Sequence, residues 1–205
     1  MSGRKGMTLL EVVVALTVAG AALATGATVL GFLTDQQSRR GIESISAAAA
    51  VRGTLRTWVS QSRLTTEGDA EFRGAIAGLR DTIGADLTFI TTARTSVAEA
   101  GTRVRIRMQR DSAGARGLVA ELTPFRARGA PMVVALAPDA AGFEVRYLGS
   151  VVTRQQWQSS WISTSVLPAA VELRVRFDSA STDPADRAAH ALLGESMRIA
   201  LGGRR

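Results

Sequence analysis

The sequence predicts an α+β protein in which one long N-terminal helix packs on an antiparallel β-sheet domain. Residues 7–33 form an apolar run, and no proline occurs before Pro124, so a helix can continue well past that run. After Thr65, apolar and polar residues alternate in short segments, a period typical of half-buried strands. The length of 205 residues suits one domain plus an attachment segment.

The composition excludes several kinds of site. The chain has no cysteine, which excludes disulfides, thiolate metal sites and cysteine nucleophiles. The chain has one histidine, His190. A multi-histidine metal centre is therefore excluded, and a catalytic triad could use only His190 as its base. We expect His190 to be a surface residue, and we expect no enzymatic activity, no cofactor and no metal.

The net charge of +7 comes almost entirely from arginine, because Lys5 is the only lysine among 25 basic residues. The arginines are spread along the chain, and only 5% of the residues are aromatic. A nucleic-acid surface more often clusters basic residues with aromatic ones. The pattern therefore favours a solvated surface over a nucleic-acid interface.

The N-terminal apolar run is long enough to cross a bilayer. Residues 7–33 contain one charged residue, Glu11. As a helix they would span about 40 Å, against about 30 Å of hydrocarbon. A helix in a soluble core is rarely apolar on every face for so long.

Two simpler interpretations of this segment compete. A secretory signal peptide would use Arg4 and Lys5 as its basic region and residues 22–24 as its cleavage site. Glu11 inside the apolar stretch, and the continuation of that stretch to Leu33, argue against it. A simple membrane anchor leaves Glu11 unexplained, because a carboxylate at the helix centre costs about 2.5–3.5 kcal/mol and calls for a partner.

The segment GMTLLEVVVAL, from Gly6 to Leu16, resembles the prepilin leader of type IV pilins and type II secretion pseudopilins. The resemblance implies that a prepilin peptidase cuts between Gly6 and Met7 and then N-methylates Met7, which stands where the family usually has Phe. It also implies that Glu11 acts in subunit assembly by neutralising the N-terminal amine of a neighbouring subunit. Opposite charges in a low dielectric attract strongly, and each offsets the other's desolvation.

These features divide the chain into three parts. By the resemblance, residues 1–6 are expected to be the leader, residues 7–33 the transmembrane and assembly half of the helix, and residues 34–205 a periplasmic globular domain. Basic residues lie on both sides of the apolar run, so the orientation depends on the leader resemblance. It implies a single-pass inner-membrane protein whose C-terminal domain lies in the periplasm.

The helix is predicted to continue to about Arg63, because apolar residues recur every three or four positions. Beyond it, the spacing of Ile76, Leu79 and Ile83 predicts a short helix that ends at Gly84. The predicted apolar stripe of the long helix consists of Ile42, Ile45, Ala49, Leu55, Trp58 and Val59.

Alternation predicts strands through the rest of the chain. In the segment 102–110, Arg103, Arg105 and Arg107 alternate with apolar residues and are expected to face solvent. The predicted strands are 85–93, 102–110, 117–125, 131–138, 142–149, 170–177 and 196–203.

The C-terminal half is similar to the J-type minor pseudopilins of type II secretion. The similarity lies in GFEVRYLG at 142–149, WQSSW at 157–161 and LPAAVELRVRF at 167–177. The segments 150–156 and 178–195 are longer than that pattern needs. The resemblance implies a minor pseudopilin that helps to initiate and cap the periplasmic pseudopilus. It implies as partners the I-type and K-type minor pseudopilins and the major pseudopilin.

Other candidate residues have competing interpretations. Trp157 and Trp161 are either partner contacts, since tryptophan is enriched at interface hot spots, or lids on the core. Asp178, Asp183 and Asp186 lack the spacing of a calcium loop and are expected to lie in a solvated connector.

Two other functions stay open. A minor pilin of a type IV pilus or competence system would use its arginines to contact DNA or a surface. A membrane-anchored enzyme is disfavoured by the single histidine and the absence of cysteine.

Overall fold

The computed structural model describes residues 13–14, 16, 39–64, 72–77, 84–99, 101–110, 114–125, 130–151, 154–163, 165–178, 181 and 183–201. The chain divides into two compact units, Met1–Glu43 and Ser44–Arg205. In the first unit, Val13, Val14 and Leu16 are helical. The second unit contains the whole β-sheet domain.

Residues 39–60 are helical and are called α1 here. The predicted stripe is confirmed in its C-terminal half, where Leu55, Trp58 and Val59 are buried. It is wrong nearer the N-terminus, where Ile42 and Ile45 are exposed. The helical residues stop at 60 rather than 63, because Ser62 and Arg63 pair with strand residues 90 and 91.

Eleven strands lie in the described part of the chain, and they form two antiparallel sheets. The large sheet has the order β6-β5-β4-β3-β2-β9, with β1 also paired to β3, and the small sheet has the order β11-β10-β7-β8. A second helix, α2, spans Pro184–Gly194. The strands are β1 Ser62–Arg63, β2 Phe72–Ala77, β3 Gly84–Thr91, β4 Thr102–Arg110, β5 Arg116–Pro124, β6 Met132–Ala137, β7 Gly142–Val151, β8 Arg154–Gln158, β9 Trp161–Ser163, β10 Ala170–Arg176 and β11 Met197–Ala200.

All seven predicted strands are confirmed, with ends that differ by at most three residues. The short helix predicted through Ile76, Leu79 and Ile83 is wrong at its start, because Ile76 lies in strand β2. Leu79 and Ile83 lie outside the described residues, and Gly84 begins β3. Phe72 and Gly74 are buried on either side of exposed Arg73, and β2 pairs with β3. At Ile76, pairing with β3 therefore replaced the helix that the apolar spacing predicted.

One core joins both sheets and α1. Leu55 and Val59 of α1, Phe89 of the large sheet and Phe143 and Tyr147 of the small sheet belong to the same buried cluster. The Phe72 ring stacks on that of Phe89 and meets that of Tyr147 edge-on. The chain is therefore α+β, with α1 and both sheets packed around this core.

Candidate functional site: the N-terminal segment and the faces of the domain

The predicted processing and assembly residues, Gly6, Met7 and Glu11, lie outside the described residues. Close to them, Val13, Val14 and Leu16 are helical, and between 51% and 68% of each residue is exposed. Exposed aliphatic side chains on a helix are suited to contact lipid or neighbouring helices. Among the described residues, no helix has the length and apolar character needed to cross a membrane.

Trp157 lies in β8, the edge strand of the small sheet, beside two arginines of the same sheet. The guanidinium carbons of Arg146 and Arg198 each lie 5.7 Å from the centroid of the Trp157 ring, within cation–π range. Glu172 faces both arginines: it accepts a 2.8 Å hydrogen bond from Arg198 Nε and lies 3.5 Å from Arg146 Nη1. These four side chains therefore form one charged cluster around an aromatic ring.

The cluster belongs to a larger surface, the arginine face, defined by Arg146, Arg174, Arg176, Arg198 and Trp157. Strand alternation produces it, because the residues between these arginines point into the core. Each of the four arginines is exposed, whereas the Glu172 side chain is only 10% exposed. The other carboxylate on this side of the sheet, Glu144, pairs with Arg176 at 3.0 Å.

Trp161 has different surroundings from Trp157. It begins β9, in the large sheet, and its Nε1 donates a 3.2 Å hydrogen bond to the carbonyl oxygen of Val166. The ring is half-buried against the core and lies close to Gly149, where an added Cβ would approach it to 3.0 Å. The predicted turn at 157–161 thus carries the chain from one sheet to the other, and it separates the two tryptophans.

The segments predicted as long connectors contain regular structure. In the region 150–156, β7 continues to Val151 and pairs with β8 as a hairpin. In the region 178–195, α2 carries His190, whose Nε2 bonds to Asp139 and whose ring stacks on Phe177 at 4.1 Å. His190 therefore holds α2 against the turn between β6 and β7, and its side chain is 20% exposed.

A groove of about 740 Å³ lies between α1 and the edge strand β6. Trp58, Leu122 and Val134 supply apolar lining, and Arg94 lies at the loop that closes one side. Next to the groove, Met132 and Val133 are exposed on β6. Among the described residues that line the groove, Arg94 is the one with an ionisable side chain.

The outer face of the large sheet is occupied by paired charges. Arg105 Nε donates to both carboxylate oxygens of Asp86, at 3.2 Å and 2.9 Å. Arg107 Nη2 lies 2.5 Å from Oε1 of Glu121. Hydrogen bonding to Asp86 raises the pKa of the Arg105 guanidinium. These neighbours satisfy one another, as expected for the solvated face predicted from the alternating arginines.

No group of three or more histidine, aspartate or glutamate side chains is placed to hold a metal in the described ranges. Sequence reasoning missed the cluster around Trp157. Period-two alternation places Arg146, Glu172 and Arg198 on outer faces, but only the strand order brings them together.

Comparison with protein families finds the prokaryotic N-terminal methylation motif at residues 1–27. No curated protein matches the chain. The motif indicates a type IV pilin-like protein or a type II secretion pseudopilin. It also implies processing by a prepilin peptidase, assembly with pilin-like proteins and membrane anchoring through the N-terminal segment.

Proposed function

We propose that this protein is a minor pseudopilin of a type II secretion system, of the J type, which helps to initiate and cap the periplasmic pseudopilus. The observation that carries the proposal is the N-terminal methylation motif, with Gly6, Met7 and Glu11 at the spacing of a prepilin leader. The α+β domain, in which α1 packs on antiparallel strands, supports it. Its role would be structural rather than enzymatic.

In this proposal the protein is a single-pass component of the inner membrane with its domain in the periplasm. The I-type and K-type minor pseudopilins and the major pseudopilin would be its partners. Trp157 and the arginines around it, which lie on an exposed sheet face, would be available for such contacts, whereas Trp161 packs against its own domain.

Mass spectrometry of the mature N-terminus tests the processing step. We expect a chain that begins at Met7 and carries an added methyl group. Gly6→Ala should still be cut, because the residue stays small, whereas Gly6→Glu should accumulate uncut. A mature chain that begins at Thr25 would show ordinary signal-peptidase processing and contradict the proposal.

A second candidate function is a minor pilin of a type IV pilus or competence system that contacts DNA or a surface. The net charge of +7 favours it. A strain that lacks the protein separates the two functions. Folded export substrates retained in the periplasm would support the pseudopilin, and lost pilus function or DNA uptake with normal export would support the pilin.

A further inference from the structure

We infer that the arginine face is a docking surface for an acidic surface of a different protein. This inference rests on the proposed role in assembly and specifies which face of the domain takes a partner and what chemistry that partner has.

Charge and exposure on the face point to an acidic partner. The Arg146 and Arg198 side chains are 59% and 70% exposed, although both are paired to the almost buried Glu172. Arg174, which lies two residues after Glu172 on β10, adds a third exposed guanidinium. Four arginines face two glutamates here, so the face keeps a net positive charge after its internal pairs are made.

The guanidinium groups are held in place before any partner arrives. Glu172 accepts from Arg198 and lies beside Arg146, and the Trp157 ring is within cation–π distance of both. Binding to such groups loses less side-chain entropy than binding to free arginines. A planar guanidinium also fits a carboxylate with two parallel hydrogen bonds, and tryptophan and arginine are the residue types that dominate interface energy.

The partner is expected to be a protein other than a second copy of this chain, because two copies with a net positive charge would repel each other. A protein also fits better than a nucleic acid. Trp157 is the one aromatic side chain in the arginine face, whereas single-stranded nucleic acids are usually held on several.

Binding of a labelled polyglutamate peptide to the full chain in neutral detergent tests the face directly. We expect salt-sensitive binding that falls about tenfold or more in R146E/R198E. The matched control, R56E/R110E, makes the same charge change at exposed arginines of α1 and β4 and should bind within about twofold of wild type. Arg174→Glu, which leaves the Glu172 pairs intact, should weaken binding even if the double variant folds poorly. Trp157→Phe should abolish the change in tryptophan emission on binding, because Trp58 and Trp161 lie elsewhere.

Three results would overturn the inference. One is equal loss of binding in R146E/R198E and R56E/R110E, which would show a response to net charge alone. Another is tighter binding of an oligothymidylate of equal charge than of polyglutamate. The third concerns cells in which the photo-cross-linker p-benzoylphenylalanine replaces Arg174. Cross-links from this position to another copy of the chain, or to segments without acidic residues, would overturn the inference. Cross-links that map to an Asp- and Glu-rich segment of another protein would support it.

The mature N-terminus, measured on the same preparation, separates this inference from the proposed function. A chain processed at Met7 that shows no preference for polyglutamate would refute only the docking surface. A chain that is not processed at Met7 would refute the proposed function, whatever its arginine face binds.

Discussion

The guanidinium Nη1 of Arg52 in α1 donates a 2.6 Å hydrogen bond to the backbone carbonyl oxygen of Leu192, near the end of α2. The same Nη1 donates at 2.9 Å to the carbonyl oxygen of Glu195, just beyond that helix. The last carbonyls of a helix lack partners within it and carry partial negative charge, so a cation there is favourable. The Arg52 side chain is only 17% exposed, and it connects two helices that lie 140 residues apart in the chain.

Replacing Arg52 by methionine is expected to destabilise the domain by about 2 kcal/mol. The part-buried bond to Leu192 has a charged donor, and such a bond contributes about 1.5–3 kcal/mol, whereas the bond to Glu195 is exposed and adds little. Urea unfolding of the chain from Asp35 onward would measure the change. Arg56→Met is the control: Arg56 is exposed on the same helix, and its loss should stay within about 0.5 kcal/mol. Equal effects of the two changes would assign the loss to charge or helix propensity instead.

Gly74→Ala is expected to disrupt packing between the two sheets. A Cβ at Gly74 would lie 1.6 Å from the Tyr147 hydroxyl oxygen and 2.2 Å from its Cζ, distances that force the ring or the strand to move. Overpacking of a core usually costs about 1–3 kcal/mol, and movement of β2 would add to it. Thermal unfolding should show the loss. Gly53→Ala is the control, because nothing lies within 4 Å of its added Cβ and alanine favours a helix. A Gly74 variant as stable as this control would contradict the close approach of Tyr147.

Tyr147→Phe is expected to leave the domain as stable as wild type, or slightly more stable, at neutral pH. The hydroxyl is buried and makes no hydrogen bond with any residue in the described ranges. An unsatisfied buried polar group costs about 1–3 kcal/mol, so removing it costs little. A clear loss of stability in urea unfolding would show that the hydroxyl has a partner.

The same tyrosine predicts how stability changes at alkaline pH. Burial raises the pKa of the Tyr147 hydroxyl, and the charge of Asp86 raises it further. Above the ordinary value of about 10 the unfolded chain loses the proton and the folded chain keeps it, so stability should fall as pH rises from that point. Because the chain has one tyrosine, the pH-dependent change in near-ultraviolet absorbance from phenol to phenolate reports this group alone, since tryptophan does not titrate in this range. Tyr147→Phe should lack this part of the alkaline loss; a wild-type tyrosine that titrates normally while folded would contradict the prediction.

Glu11→Gln is expected to leave membrane insertion and cleavage intact but to impair incorporation into a pseudopilus. A neutral side chain enters the bilayer more easily, since the carboxylate costs about 2.5–3.5 kcal/mol near its centre. In the proposed assembly, the same change would leave the Met7 ammonium of a neighbouring subunit without its counter-ion, a loss on the order of 3–5 kcal/mol. Cross-linking in membranes together with a secretion assay would measure both effects. Normal secretion and wild-type cross-links in this variant would refute the charge-pair role.

Several features follow from the sequence by itself because they depend on local order. The strict alternation in 102–110 predicts a strand with its arginines outward, and β4 has those bounds. The spacing of Gly6, Met7 and Glu11 carries the leader resemblance, which the methylation motif at residues 1–27 supports without any three-dimensional information.

Tertiary structure alone decided which strands became neighbours. An alternating pattern specifies which face of a strand is buried, but it leaves the pairing partner open. Pairing of β2 with β3 placed Ile76, which the sequence assigned to a short helix, in a strand, and it placed Gly74 under Tyr147. The order β11-β10-β7-β8 brought together Arg146, Glu172, Arg198 and Trp157, which lie on four separate strands. Hydrogen bonds and burial between residues far apart in the chain determine these contacts, and no local periodicity encodes them.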